Sequence, residues 1–122
     1  MSRATLFAVG AILAGVGVTF GAFGAHALEA RVTAERLVTF ETAVRYQMLH
    51  ALAILAAALL GGERAALAGL LFVLGIALFS GSLYLLVLTG VRWLGAITPL
   101  GGVAFIAGWV VLALAGFRAL RG

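Results

Sequence analysis

The sequence predicts an all-α integral membrane protein, an antiparallel four-helix bundle with a short interfacial helix between spans one and two. Three observations predict it. Hydrophobic residues make up 65% of the 122 and charged residues only 10%, against about 45–50% apolar and about 25% charged in an ordinary soluble domain. A globule of this size has too little interior to hide so much apolar surface from water. The apolar residues also fall in four continuous runs rather than alternating, so they read as helices and not as barrel strands.

The first run covers about 4–28 and contains no charge. Arg3 followed by an apolar stretch and Ala25-His26-Ala27 has the outline of a signal peptide. The run is longer than the usual 7–15 apolar residues of one, so it reads as a span. The second span covers about 41–60 and carries Arg45 near its start. The third covers 65–89 and the fourth 94–117. About 20 helical residues cross a hydrocarbon core of roughly 30 Å. The chain is one domain, 1–122.

The connections differ in length. Gly61-Gly62-Glu63-Arg64 and Gly90-Val91-Arg92 are tight turns, which implies antiparallel neighbours. Residues 29–42 form the only long connection and hold three of the four acids. Leu37, Val38 and Phe40 within it suggest the interfacial helix, running into span two. Thr98-Pro99 reads either as a cap with a first-turn proline or as a kink in a longer fourth helix. Four crossings put both termini on one side. Arginines divide four against four between the sides, and discounting Arg45 as intrahelical leans the termini to the cytoplasm.

Small residues supply the packing surfaces. Gly10, Ala14, Gly17 and Gly21 recur every three or four residues and form one stripe on the first helix. Gly101, Gly108 and Ala115 form another on the fourth. Membrane helices associate through such close approaches. Intramolecular packing is the first use expected of them; a homo-oligomer contact is the second.

The polar residues converge on one side. Threading brings His26, Glu41, Arg45, Arg92 and Thr98 towards the membrane face opposite the termini. His50 lies about 13 Å deeper than Glu41 by helical rise, and Ser80 and Tyr84 lie about 12–18 Å in from Arg92. These three reach a similar depth near mid-bilayer, where polar groups usually face a bundle interior or cavity. Glu41 and Arg45, and Tyr46 and His50, are four residues apart, with Gln47 three before His50, so they can touch along one helix. Glu41–Arg45 reads as a helix-start ion pair, or Arg45 serves an anion or head group. Tyr46, Gln47 and His50 read as interhelical hydrogen-bonding groups directed at Ser80, Ser82 or Tyr84, or His50 carries protons.

Several chemistries lack their parts. There are no cysteines, so no disulfide framework or thiolate metal site is expected. Two histidines at different depths do not suit a bis-histidine haem, and they do not close a zinc site without further ligands. Ser80-Gly81-Ser82 has no acid placed to orient a catalytic histidine. The eight arginines are scattered, whereas nucleic-acid binding needs a clustered basic face. No catalytic residue, cofactor or nucleic-acid partner is expected; the bilayer itself is.

Five motifs, in order, carry a resemblance. They are Gly21-Ala22-Phe23-Gly24-Ala25-His26, the run from Glu41 to Ala53 (ETAVRYQMLHALA), Leu78-Phe79-Ser80-Gly81-Ser82-Leu83-Tyr84, Thr98-Pro99-Leu100-Gly101-Gly102, and Phe105-Ile106-Ala107-Gly108-Trp109. Together they resemble the membrane family catalogued as domain of unknown function 423, which includes small bacterial inner-membrane proteins and the eukaryotic transmembrane protein 256. The resemblance covers nearly the whole chain. It implies a four-helix protein of a bacterial plasma membrane and brings no activity or cofactor with it.

Three functional readings are open. The first is a non-enzymatic membrane protein with a buried polar cluster, serving as an accessory subunit or as a lipid or small-molecule binder. The second is a small proton-linked carrier using Glu41, Arg45 and His50. The third is a quinone-binding oxidoreductase subunit using His50 and Tyr84. A dry interior with a fully bonded His50 favours the first, a wet cleft to His50 the second, and an apolar slot ending at His50 or Tyr84 the third.

Overall fold

The computed structural model of the protein describes residues 1–122. It contains four long helices, α1 (Arg3–Glu29), α2 (Ala34–Leu60), α3 (Glu63–Thr89) and α4 (Arg92–Leu120), each long and apolar enough to cross a membrane. Each reaches about 40 Å at 1.5 Å per residue, longer than a core of roughly 30 Å. Leu37, Val38 and Phe40, the residues expected to form an interfacial helix, occupy the first turns of α2 and run continuously into the span.

The helix ends follow local chemistry. The Ser2 hydroxyl accepts from the Thr5 N–H at 3.1 Å, and Thr33 accepts from the Arg36 N–H at 3.2 Å, capping α1 and α2. Gly61 and Gly62 stop α2 with φ of 77° and 92°, backbone that glycine adopts at little cost. Gly90 closes α3 in the left-handed conformation, its N–H bonded to the Leu86 carbonyl. Arg3 then fastens two ends together. Its Nε donates to the Ala58 carbonyl at 2.9 Å and its Nη2 to the Leu59 carbonyl at 3.0 Å. These carbonyls lie in the last turn of α2, where no intrahelical donor reaches them and a cation is favoured by the dipole.

Three irregularities interrupt the helices. Wider π turns occupy Phe20–Gly24 in α1 and Ile76–Ser80 in α3. A tighter 3-10 stretch, Arg92–Ala96, opens α4 before the regular helix begins at Thr98 with Pro99 in its first turn. The proline loses no hydrogen bond at that position.

The helices do not form a symmetric square. α2 and α3 pack at the centre, α1 lies along α2, α4 lies along α3, and α1 and α4 share no packed interface. The core is built mainly from Leu6, Ile54, Phe72 and Phe105, with alanines of α2 and α3 between them. Ile12, Val18 and Phe23 on α1 and Leu100, Ile106 and Leu114 on α4 point outward. That apolar exterior is the surface a bilayer covers.

Both small-residue stripes are filled within the chain. A Cβ on Gly10 would lie 3.0 Å from Ile54 of α2, and one on Gly17 would collide with Met48. Gly21 meets Val44, Gly101 sits against the Phe79 backbone, and Gly108 receives the Phe72 ring. The exchange is mutual, since Gly75 of α3 receives the Phe105 ring of α4. Small residues thus hold the axes close enough for the aromatic side chains to fill the seams.

These contacts set an expectation for substitution. Gly101→Ala should lower the unfolding midpoint in detergent by the equivalent of about 1–3 kcal/mol, the usual cost of overpacking. Gly102→Ala, which meets no atom within 4 Å, should leave the midpoint unchanged or raise it. Equal midpoints for the two would contradict the packing described.

Candidate functional site

The polar residues singled out in the sequence separate into an interior network and an exterior groove. Helix α2 contributes to both, because its faces point in different directions. Gln47 and His50 are each 2% exposed, Ser80 is 0% and Ser82 is 4%. Tyr84 and Thr98 are half-buried beside them. Glu41 and Arg45 lie outside, and His26 stands at the exposed end of α1.

Gln47 bridges three helices. Its Nε2 donates to the Leu13 carbonyl of α1 at 2.8 Å, and its Oε1 accepts from the Tyr84 hydroxyl of α3 at 2.6 Å. Gly17, one turn beyond Leu13, packs beside this bond: a Cβ there would clash with Met48, the neighbour of Gln47, and only touch Gln47 Nε2 at 3.6 Å. The Tyr84 ring is held by Phe20 of α1 at 5.2 Å and Phe40 of α2 at 5.5 Å. The same three helices that share the hydrogen bonds therefore share the aromatic clasp.

The serines of α3 face different neighbours. Ser80 donates to the Ala43 carbonyl of α2 at 2.7 Å. Ser82 donates to the Phe79 carbonyl at 3.0 Å and meets the Thr98 hydroxyl of α4 at 2.6 Å. A hydroxyl carries a single proton, so with the Ser82 proton on Phe79, Thr98 is the donor in the second bond. Thr98 thus serves an interhelical bond rather than capping its own helix.

His50 sits apart from these serines and from Tyr84. Trp109 Nε1 of α4 donates to its Nε2 at 3.0 Å, and its Nδ1 lies 2.8 Å from the Tyr46 carbonyl. An indole N–H only donates, so Nε2 holds no proton, and Nδ1 carries it to the carbonyl. The ring is the neutral Nδ1–H tautomer with both nitrogens engaged. Phe105 stacks on it at 3.5 Å with 9° between planes, while Phe72 and Trp109 close the remaining sides at 5.5 and 5.8 Å. Tyr46 stacks on Phe79 at 4.5 Å and keeps an exposed edge. No buried side-chain nitrogen or oxygen lacks a partner.

The exterior residues line a groove between the end of α1 and the start of α2. Two adjoining cavities, about 170 and 250 Å³, share Gly21, Ala25 and Glu41. Arg45, Val44 and Phe40 complete the deeper one; His26, Glu29 and Leu37 complete the outer one. His26 Nδ1 and Glu29 Oε2 are 4.0 Å apart at the exposed end of α1. Glu41 and Arg45, one turn apart, do not pair. A third cavity, about 570 Å³, opens between the start of α2 and the end of α3, with Arg36 and Arg92 in its wall. A fourth, about 420 Å³, lies between α3 and the start of α4 beside Ser82 and Tyr84.

A family model described as "Protein of unknown function (DUF423)" matches residues 20–102, from the π turn of α1 to the first turns of α4. The chain belongs to the DUF423 family. It is 46% identical over 113 residues to UPF0382 membrane protein SSP2132 of Staphylococcus saprophyticus, covering 90% of this chain and 94% of that protein. It is 45% identical over 117 residues to UPF0382 membrane protein YwdK of Bacillus subtilis, covering 92% and 95% respectively. No solved structure matches. The matched DUF423 region contains Gln47, Tyr84, both serines and His50, but begins after Leu13 and ends before Trp109.

Sequence reasoning overlooked Trp109 as a partner for His50. The signal was present, since an indole N–H held within a bundle needs an acceptor. The carbonyls of Leu13, Ala43 and Tyr46, which accept from Gln47, Ser80 and His50, leave no trace in side-chain identity. The Gln47–Tyr84 bond is directly measurable. A double-mutant cycle with Gln47→Leu and Tyr84→Phe should return a coupling of about 0.6 kcal/mol, and at most about 1.7, the range for interhelical bonds in membranes. Zero coupling would mean that the two side chains do not bond in the folded protein.

Proposed function

We propose that this DUF423 chain is a non-enzymatic multi-pass protein of a bacterial plasma membrane: a rigid scaffold, termini in the cytoplasm, that works as an accessory subunit and binds lipid at its surface. The observation that carries this reading is His50. A histidine that moves protons needs a nitrogen open to water or to a partner of variable protonation. Here one nitrogen meets an indole donor, the other a backbone carbonyl, and the ring is boxed by Phe72, Phe105 and Trp109. None of the five principal cavities has His50 in its wall.

The carrier reading asks for a wet route to His50, and the geometry supports the scaffold over it. The quinone reading has one observation in its favour, the cavity beside Tyr84. Both hydroxyl protons there are already committed, Tyr84 to Gln47 and Ser82 to Phe79, which leaves no side-chain donor for a quinone carbonyl. Assembly with further copies belongs to the same scaffold reading. It would engage the outer faces of α1 and α4, because the glycine stripes are occupied.

A structural His50 makes a clear demand on stability. His50→Ala should lower the unfolding midpoint in detergent by the equivalent of about 2–4 kcal/mol, as buried large-to-small changes do. Leu114→Ala, at a site 51% exposed on the outer face, should change it little. Equal midpoints for the two variants would count against the scaffold reading.

A further inference from the structure

We propose that the groove between α1 and α2 is a phospholipid site, with Arg45 holding the phosphate and Glu41 facing an ammonium carried by the same head group. This deepens the surface-lipid part of the reading above and rests on it; the structural role of His50 stands or falls separately.

Depth singles out Arg45. It lies fifteen residues before Leu60, the last residue of α2, or about 22 Å along the axis. With the Leu60 end at one boundary of a core of roughly 30 Å, Arg45 starts about 8 Å below the other. It stands on the exterior of the bundle and makes no hydrogen bond or ion pair with the chain. A guanidinium in hydrocarbon is costly and is stabilised by snorkelling to an anion at the interface. Phosphate is the anion a bilayer supplies there, and guanidinium matches its oxygens in a two-pronged geometry.

The shape of the groove suits a lipid. Gly21 and Ala25 remove bulk from the facing side of α1, so Val44 and the stem of Arg45 are left uncovered along a slot. The slot continues outward past Glu41 to Glu29 and His26. An acyl chain and glycerol can lie along its apolar floor while the head group follows it towards water.

The order of charge selects the head group. Glu41 is one turn nearer the water than Arg45, about 6 Å by helical rise. Glu29 stands at the mouth beside His26. The groove therefore presents a cation deep and carboxylates shallow. A purely anionic head group would satisfy Arg45 and be repelled by Glu41. A head group whose phosphate is followed by an ammonium satisfies both in the order in which it leaves the membrane.

The test uses the full-length protein, delipidated in detergent, and native mass spectrometry. It is offered equal amounts of phosphatidylethanolamine and phosphatidylglycerol with matched acyl chains. The wild type should retain one phosphatidylethanolamine in preference to phosphatidylglycerol. Arg45→Gln should reduce that adduct about tenfold, the loss of a charge-assisted hydrogen bond. Glu41→Gln should keep lipid bound but bring the preference towards unity, while Arg64→Gln at the opposite end should change nothing. Equal adducts in wild type and Arg45→Gln overturn the proposal. Displacement of the lipid by inorganic phosphate overturns its lipid part, with a soluble anion as the ligand instead. A shift in subunit count with Arg45→Gln, without loss of lipid, assigns the arginine to a protein interface and also overturns it. In any of these cases a destabilised His50→Ala would still support the scaffold.

Discussion

Hydrocarbon offers no hydrogen bonds, so each polar group that α2 buries inside the bundle must find its partner within the chain. The rest of the structure depends on how Gln47 meets that constraint. One amide ties α1 and α3 to α2, using a backbone carbonyl on one side and a phenol on the other. Ser80 repeats the device between α3 and α2, and Ser82 with Thr98 repeats it between α3 and α4. His50 with Trp109 completes the set by joining α2 to α4 directly. The bonds are individually modest. Each fixes the rotation of a helix about its own axis, which nonspecific apolar packing in lipid does not.

Small residues make those bonds reachable. Gly17 makes room for Met48 beside the Gln47 bridge; Gly75, Gly101 and Gly108 let the Phe105, Phe79 and Phe72 side chains enter the α3–α4 seam. Phe72 and Phe105, with Trp109, surround His50, and Phe79 packs on Tyr46 and Phe105 beside them. The fold thus has an aromatic layer around His50 and a hydrogen-bonded layer towards the α1–α2 connection. The π turn at Ile76–Ser80 belongs to this arrangement, because it ends at the serine that reaches Ala43. An inserted residue rotates the downstream part of the helix by about 100°, one residue of helix. It aims Ser80 and Tyr84 at α2 and leaves Ser82 facing α4.

What the sequence could convey about the site follows from where depth is counted from. The four helices were legible because long apolar runs in a small chain have few alternatives. Burial was legible too: Gln47, His50 and Ser80 lie inside the bundle with Tyr84 half-buried beside them, and Gln47 meets Tyr84, one of the partners expected for it. Axial level was not. His50 was expected to meet Ser80 or Tyr84 at matching depth, but Ser80 lies level with Ala43, seven residues or about 10 Å before His50 on α2, while His50 lies level with Phe72 and takes Trp109 as its partner. Counting inward from Glu41 set His50 too shallow, because α2 begins about two turns earlier, at Ala34. Three of the acceptors are backbone carbonyls, which every residue has. The Glu41–Arg45 spacing permits an ion pair without requiring one, and on the outside of the bundle both side chains remain open to the bilayer and its head groups.

On the scaffold reading the interior is complete in itself, and His50 is a neutral structural residue rather than one poised for proton exchange. Nitrogen-15 NMR of the His50 ring, in lipid nanodiscs at neutral pH, reads this from the two ring nitrogens themselves. A single tautomer is expected, Nδ1 protonated and Nε2 bare, with the Nε2 resonance shifting when Trp109→Phe removes its donor. A proton on Nε2, whether as the other tautomer or as the imidazolium, would contradict it.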